Sequence, residues 1–127
     1  MTISDVVLEI GRIKPHAYTE DTLRRWLSEL DGKVWEDLMC HYQPAEMQPA
    51  LPYAAKDTLA VLLIPFPHED VYIKWLCAQI DYHNGDVERY NNSMMMFAEE
   101  YQTFVDSYTR SHVGKAVKLK GLRGTIA

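Results

Sequence analysis

The chain has 127 residues, 47% of them hydrophobic, and its 18 acidic and 13 basic residues leave a formal net charge of −5. That length suits a single domain around one core, and a hydrophobic share near the globular average can offset the entropy of ordering the chain, which argues against a disordered segment. The longest apolar run, Leu59 to Ile64, is far short of the 18 or so residues that span a bilayer. Met1 to Asp5 lacks a basic stretch followed by an apolar one, so neither a membrane nor a secretory route is expected and the chain should begin in a cytoplasm.

The charge is unevenly placed. Residues 1–106 hold all 18 acids and 8 basic residues, a formal −10, whereas residues 107–127 hold Arg110, Lys115, Lys118, Lys120 and Arg123 and no acid, a formal +5. An acidic body with a basic tail reads either as a solubilising extension or as an arm that docks on nucleic acid, an acidic partner or a neighbouring copy.

In chain order, Ile3, Val6, Val7, Ile10 and Ile13 recur at helical spacing, with Thr2 or Ser4 as cap and Pro15 as stop. A second helix is expected from Thr19, with Glu20 and Asp21 favoured in its first turn by the helix dipole. Leu23, Leu27, Leu30, Val34 and Leu38 trace its apolar stripe, broadened by Trp26, Trp35 and Tyr42. The stripe keeps its phase across Gly32, which predicts one helix to about Tyr42. Residues 43–57 carry Pro44, Pro49 and Pro52 and read as a long loop. Thr58 to Ile64 is either a short strand or a buried irregular stretch, closed by Pro65-Phe66-Pro67. A third helix opens at His68-Glu69-Asp70 and stops at Asn84-Gly85. Asp86 caps a fourth, in which Val87, Tyr90, Met94, Phe97, Tyr101, Phe104 and Tyr108 form a heptad seam. The short link makes the last two helices an antiparallel hairpin. Periodicity stops after Ser111. The expected fold is therefore all-α: a small bundle of about four helices with a C-terminal helical hairpin, a long proline-containing loop, a domain over residues 1–112 and an extended, flexible basic tail over 113–127.

Chemistry is not legible in the chain. Cys40 and Cys77 form no CxxC pair and read as reduced, buried small hydrophobes. Adjacent Cys40 and His41 diverge by about 100° on a helix. The five histidines lack the i, i+4 pairing of a zinc helix. The acid pairs Glu20-Asp21, Glu36-Asp37, Glu69-Asp70 and Glu99-Glu100 are sequence neighbours, which point apart on a helix. No phosphate-binding glycine loop occurs. The expectation is a non-enzymatic protein with no catalytic residue, cofactor or metal. Tyr90-Asn91-Asn92-Ser93 is unusual, because poor helix formers interrupt a strong seam. Asn91, Asn92 and Ser93 either face solvent or form hydrogen bonds across a subunit contact. Eight tyrosines and three tryptophans suit interfaces as well as cores.

The order of certain runs resembles a known family. It begins with a short helix and a proline–tyrosine link. Trp26-Leu27-Ser28-Glu29-Leu30-Asp31-Gly32, Leu51-Pro52-Tyr53 and Leu62-Leu63-Ile64-Pro65 follow. Then come Tyr72-Ile73-Lys74-Trp75-Leu76, Gln79-Ile80-Asp81, Tyr90-Asn91-Asn92-Ser93 and the residues Phe97, Tyr101, Tyr108, Arg110 and His112. Over roughly residues 3–112 the chain is similar to the small head–tail connector, or adaptor, proteins of siphovirus-type phages and prophages of Gram-positive bacteria. The resemblance implies a structural subunit that joins a ring of its own copies beneath the portal protein and receives a head-closure or tail protein. DNA would pass through the channel without sequence-specific binding. The protein would sit in the virion neck after starting in the host cytoplasm. Lys115, Lys118, Lys120, Arg123, Asn91 and Asn92 are the candidate subunit or portal contacts. The alternatives are another virion head-closure or tail-completion protein, or a small helical DNA-binding or regulatory module, whose affinity would fall steeply with salt.

Overall fold

The structure is a computed structural model that describes residues 1–43 and 49–114, apart from the side chains of Gln43 and Val113. Four helices dominate: α1 (Ile3–Ile13), α2 (Glu20–Asp37), α3 (Asp70–His83) and α4 (Val87–Ser111). Two two-residue strands, β1 (Tyr42–Gln43) and β2 (Val113–Gly114), pair antiparallel with Tyr42 opposite Gly114. The all-α bundle expected from periodicity is what forms.

The N-terminal amides of α1 are the first structural requirement, since a helix start leaves four N–H groups without intrahelical partners. Thr2, and not Ser4, is the cap: its Oγ1 accepts from Asp5 N, and the Asp5 carboxylate accepts from Thr2 N. Ile3 N and Ser4 N donate to the carbonyls of Ala60 and Thr58 at 3.2 and 2.8 Å. The ambiguous 58–64 stretch is thus irregular backbone with one bridge, Thr2 to Val61, and it sends Leu62 and Ile64 into the core.

The second helix is shorter than its apolar stripe suggests. It stops at Asp37, and a single 3-10 turn over Met39–His41 leads into β1. The expectation of one helix to Tyr42 is corrected for two physical reasons. Glu36 and Asp37 sit at the negative end of the dipole with no basic residue in the last turn. The Glu36 carbonyl is taken instead by Cys40 Sγ and His41 Nε2, at 3.3 and 2.9 Å. The helix does run unbroken through Gly32, as its stripe requires.

α3 is the central element, packed against α1, α2 and α4. Val71, Tyr72, Leu76 and Ile80 face a core shared with Ile3, Val6 and Ile10 of α1 and Leu23, Trp26, Leu27, Leu30 and Val34 of α2. Gly85, at φ +77°, makes the turn into α4. Asp86 then caps α4 by accepting from Arg89 N. Along α4 the seam is unevenly buried: Val87 is 69% exposed, and Phe104 is 2% exposed. The cause is geometric, because α4 outruns α3 and its far end lies on the 3-10 turn and the Leu63–His68 segment. Helical periodicity ends at Ser111 as expected. Val113 and Gly114, assigned to the tail, pair instead with β1. Cys40 and Cys77 are unbridged and half-buried, a little more open than expected.

Candidate assembly surface and its buried supports

Two carboxylates are buried, each joining segments far apart in sequence. Asp31, on α2, accepts from Tyr53 Oη at 2.5 Å, Tyr72 Oη at 2.6 Å and Leu63 N at 3.1 Å. Tyr72 Oη in turn accepts from Ile64 N at 2.7 Å. Ser28, one turn before Asp31, accepts from Tyr53 N at 3.0 Å and donates to the Arg24 carbonyl. Among the described residues no cation takes part. Burial pushes the Asp31 carboxyl above the ordinary range, against the pull of its three hydrogen bonds. Burial and the adjacent Asp31 charge push the Tyr53 and Tyr72 hydroxyls up as well. Asp31, Tyr53, Leu63 and Tyr72 each come from a different one of the runs that carry the connector resemblance.

Asp81, on α3, is held differently. Lys14 Nζ lies 2.9 Å from Oδ1, and Ser93 Oγ donates to Oδ2 at 2.7 Å. This ties the end of α1 and the start of α4 to the hairpin. The reading of residues 91–93 divides here: Asn91 and Asn92 are exposed on α4, while Ser93 turns inward to Asp81. Aromatic rings reinforce the same end. His16, Tyr18, Trp26, His83, Tyr82 and Tyr90 form an unbroken chain of ring contacts with centroids 4.8–6.3 Å apart. Tyr18 Oη also donates to Asn84 Oδ1 at 2.6 Å.

The outer surface carries many large apolar groups. Leu8, Leu59, Val61, Phe66, Tyr82, Val87 and Met95 are all more than half exposed. Acids are in surplus too. Among the described residues, Glu29, Glu36, Asp37, Glu88, Glu99 and Glu100 have no ion-pair partner, whereas five of the eight body cations are already paired with acids. Glu29, Glu36 and Asp37 line a groove of about 500 Å³ along α2, completed by Gly32, Lys33, Trp35, Pro49 and Leu51.

Of the candidate contact residues, Asn91 and Asn92 are neighbours on the exposed face of α4, and Lys115, Lys118, Lys120 and Arg123 lie outside the described residues. Sequence reasoning missed Asp31 as a centre. Its signal was a buried-phase position: an aspartate at i+4 from Leu27 and i+1 from Leu30 on an apolar stripe. Among the described residues no three His, Cys, Asp or Glu side chains converge as metal ligands, and no helix is long and apolar enough to cross a membrane. No family model matches the chain, nor does any curated protein or solved structure.

Proposed function

We propose that this chain is a structural subunit of a phage or prophage head–tail connector, assembling as a ring under the portal and receiving a head-closure or tail protein. The observation that carries the reading is the Asp31 node. The runs that carry the resemblance, spread from residue 26 to residue 76, supply Asp31, Tyr53, Leu63 and Tyr72 to one buried hydrogen-bond centre. Their order along the chain therefore has a common structural purpose. The surface supports the reading as well: exposed Leu, Val, Phe, Tyr and Met side chains on several faces suit a subunit that is covered in an assembly. In a ring each contact is heterologous, one face meeting a different face of the next copy. Asn91 and Asn92 on α4 and the basic tail are contact elements of such a ring, and unpaired acids facing a channel would let DNA slide by repulsion.

The test is light scattering on a sizing column, with the protein alone and mixed with the portal protein of the same phage or prophage. A ring, or co-elution with the portal, is the expected result. A monomer that ignores the portal would overturn the reading, and retention by a head-closure or tail protein alone would move the subunit elsewhere in the virion.

A further inference from the structure

The far half of α4 carries a face that the bundle leaves uncovered. Glu99, Thr103, Ser107 and Arg110 follow one another at one-turn intervals and share that face. Glu99, Thr103 and Arg110 are exposed, and Ser107 is half-buried. A groove of about 340 Å³ runs beside them, between α4 and the Leu63–His68 segment, with Met39, Leu63, Phe104 and Tyr108 in its wall. Past Pro67 and His68 it continues into a smaller groove that reaches Glu99.

Phe66 stands at the rim of the larger groove, yet it is 82% exposed, more than any other large apolar side chain among the described residues. Pro65 and Pro67 restrict the backbone on both sides of it, so little freedom is left to lose when its ring is covered. A cavity of about 150 Å³ holds a benzene ring, and the groove therefore has room for a phenyl ring from outside. Knob and groove belong to one patch, as a two-fold contact requires, because there the same surface serves both partners.

Charge decides the direction. Glu99 and Arg110 are eleven residues apart, about 16 Å along the helix. They are too far apart to pair with each other, and neither has an ion-pair partner among the described residues. When two copies of α4 lie antiparallel, with the axis midway between these residues, Glu99 of each copy comes opposite Arg110 of the other. Thr103 and Ser107 lie between the two charges, and their small side chains let the helices approach closely. A parallel arrangement would set Glu99 against Glu99 and Arg110 against Arg110.

We propose that two copies of this chain pair across this face about a two-fold axis, Phe66 of each entering the groove of the other and Glu99 of each meeting Arg110 of the other. The partner is a second copy because the knob, the groove and the opposite charges lie on one surface in self-complementary order. This contact is isologous. It is distinct from the heterologous contacts of a ring and does not rest on the connector reading.

Sedimentation equilibrium of the full chain over a range of concentrations tests it, and a dimer is expected. Phe66→Asp, at an exposed site, should weaken the pairing about thirtyfold or more, with helix content unchanged by circular dichroism. Glu99→Arg and Arg110→Glu should each weaken it about three- to tenfold, since each sets like charges together at two symmetry-related points. Both substitutions in one chain should restore the affinity to within about twofold, because a two-fold contact matches the exchanged charges again. A monomer at concentrations up to about 1 mM, a dimer indifferent to Phe66→Asp, or a double substitution no better than the single ones would each overturn the proposal. A closed ring with no two-copy species would overturn it too.

Discussion

Asp31 and Asp81 are both buried carboxylates that join distant segments, yet they are satisfied by different means. Asp31 is held by two tyrosine hydroxyls and one backbone amide, with no cation among the described residues. Asp81 pairs with Lys14, whose side chain is 23% exposed, and with Ser93. The first arrangement is a network of directional bonds centred on a buried carboxylate, which orders the 51–64 segment against α2 and α3. The second is a charge pair near the surface, which latches one end of the bundle. Such a buried network suffers when a member is removed, because a buried polar group left alone bears its whole desolvation cost. A partly hydrated pair yields more gently.

The largest effect should come from Asp31→Ala, which deprives Tyr53 and Tyr72 of their acceptor and leaves a void. A loss of about 3–5 kcal/mol in urea unfolding is expected, and a loss below about 1 kcal/mol would show that the network does not hold the segment. Next, Tyr72→Phe should cost about 2 kcal/mol and Tyr53→Phe about 1. Tyr72 Oη both donates to Asp31 and accepts from Ile64 N and is fully buried, whereas Tyr53 is only partly buried; equal costs would break that ranking. Lys14→Met, which keeps the apolar stem, should cost about 1 kcal/mol, part of it lost at high salt. A salt-independent cost would mean the latch is packing and not charge.

Gly32→Ala is expected to raise stability by about 0.5–1 kcal/mol. The position is helical, and an added Cβ would meet only Leu51 Cδ1 at 4.0 Å, an ordinary contact. A destabilised variant would show that the Asp31 side of α2 is tighter than this spacing indicates. The pH dependence of Asp31 is the finest test. Its carboxyl is raised in the folded state by burial, so below the ordinary carboxylate value of about 3.9 both states are protonated and its contribution is fully present. As pH rises from there through the raised folded value, the fold must hold a buried charge and stability falls. The stability gap between the unsubstituted chain and Asp31→Asn, followed by urea unfolding between pH 4 and 7, should narrow with rising pH; a widening gap would reverse the sign.

Much of the fold was readable because it depends on local chemistry. The Thr2, Thr19 and Asp86 caps, the Asn84-Gly85 turn, and the apolar stripes of α1 and α3 are all decided within a few residues. The end of α2 was misread because the stripe continues to Leu38 and beyond in phase, while the helix is stopped by Glu36 and Asp37 at its negative pole and by Cys40 and His41 capping the Glu36 carbonyl. Ser93 was read with its exposed neighbours, since nothing local shows that its hydroxyl meets Asp81. The candidate contacts at Asn91 and Asn92 lie where a helical wheel places them. The basic tail residues could be named from charge alone.

From the sequence by itself came the helix count, the hairpin, and the separation of an acidic body from a basic tail, because periodicity, caps and charge are properties of neighbouring residues. Tertiary structure alone decided that Asp31 gathers Tyr53, Leu63 and Tyr72, and that β2 pairs with β1. Those partners stand 22 to 72 residues apart in the chain, and only packing brings such distant donors and acceptors within hydrogen-bonding distance.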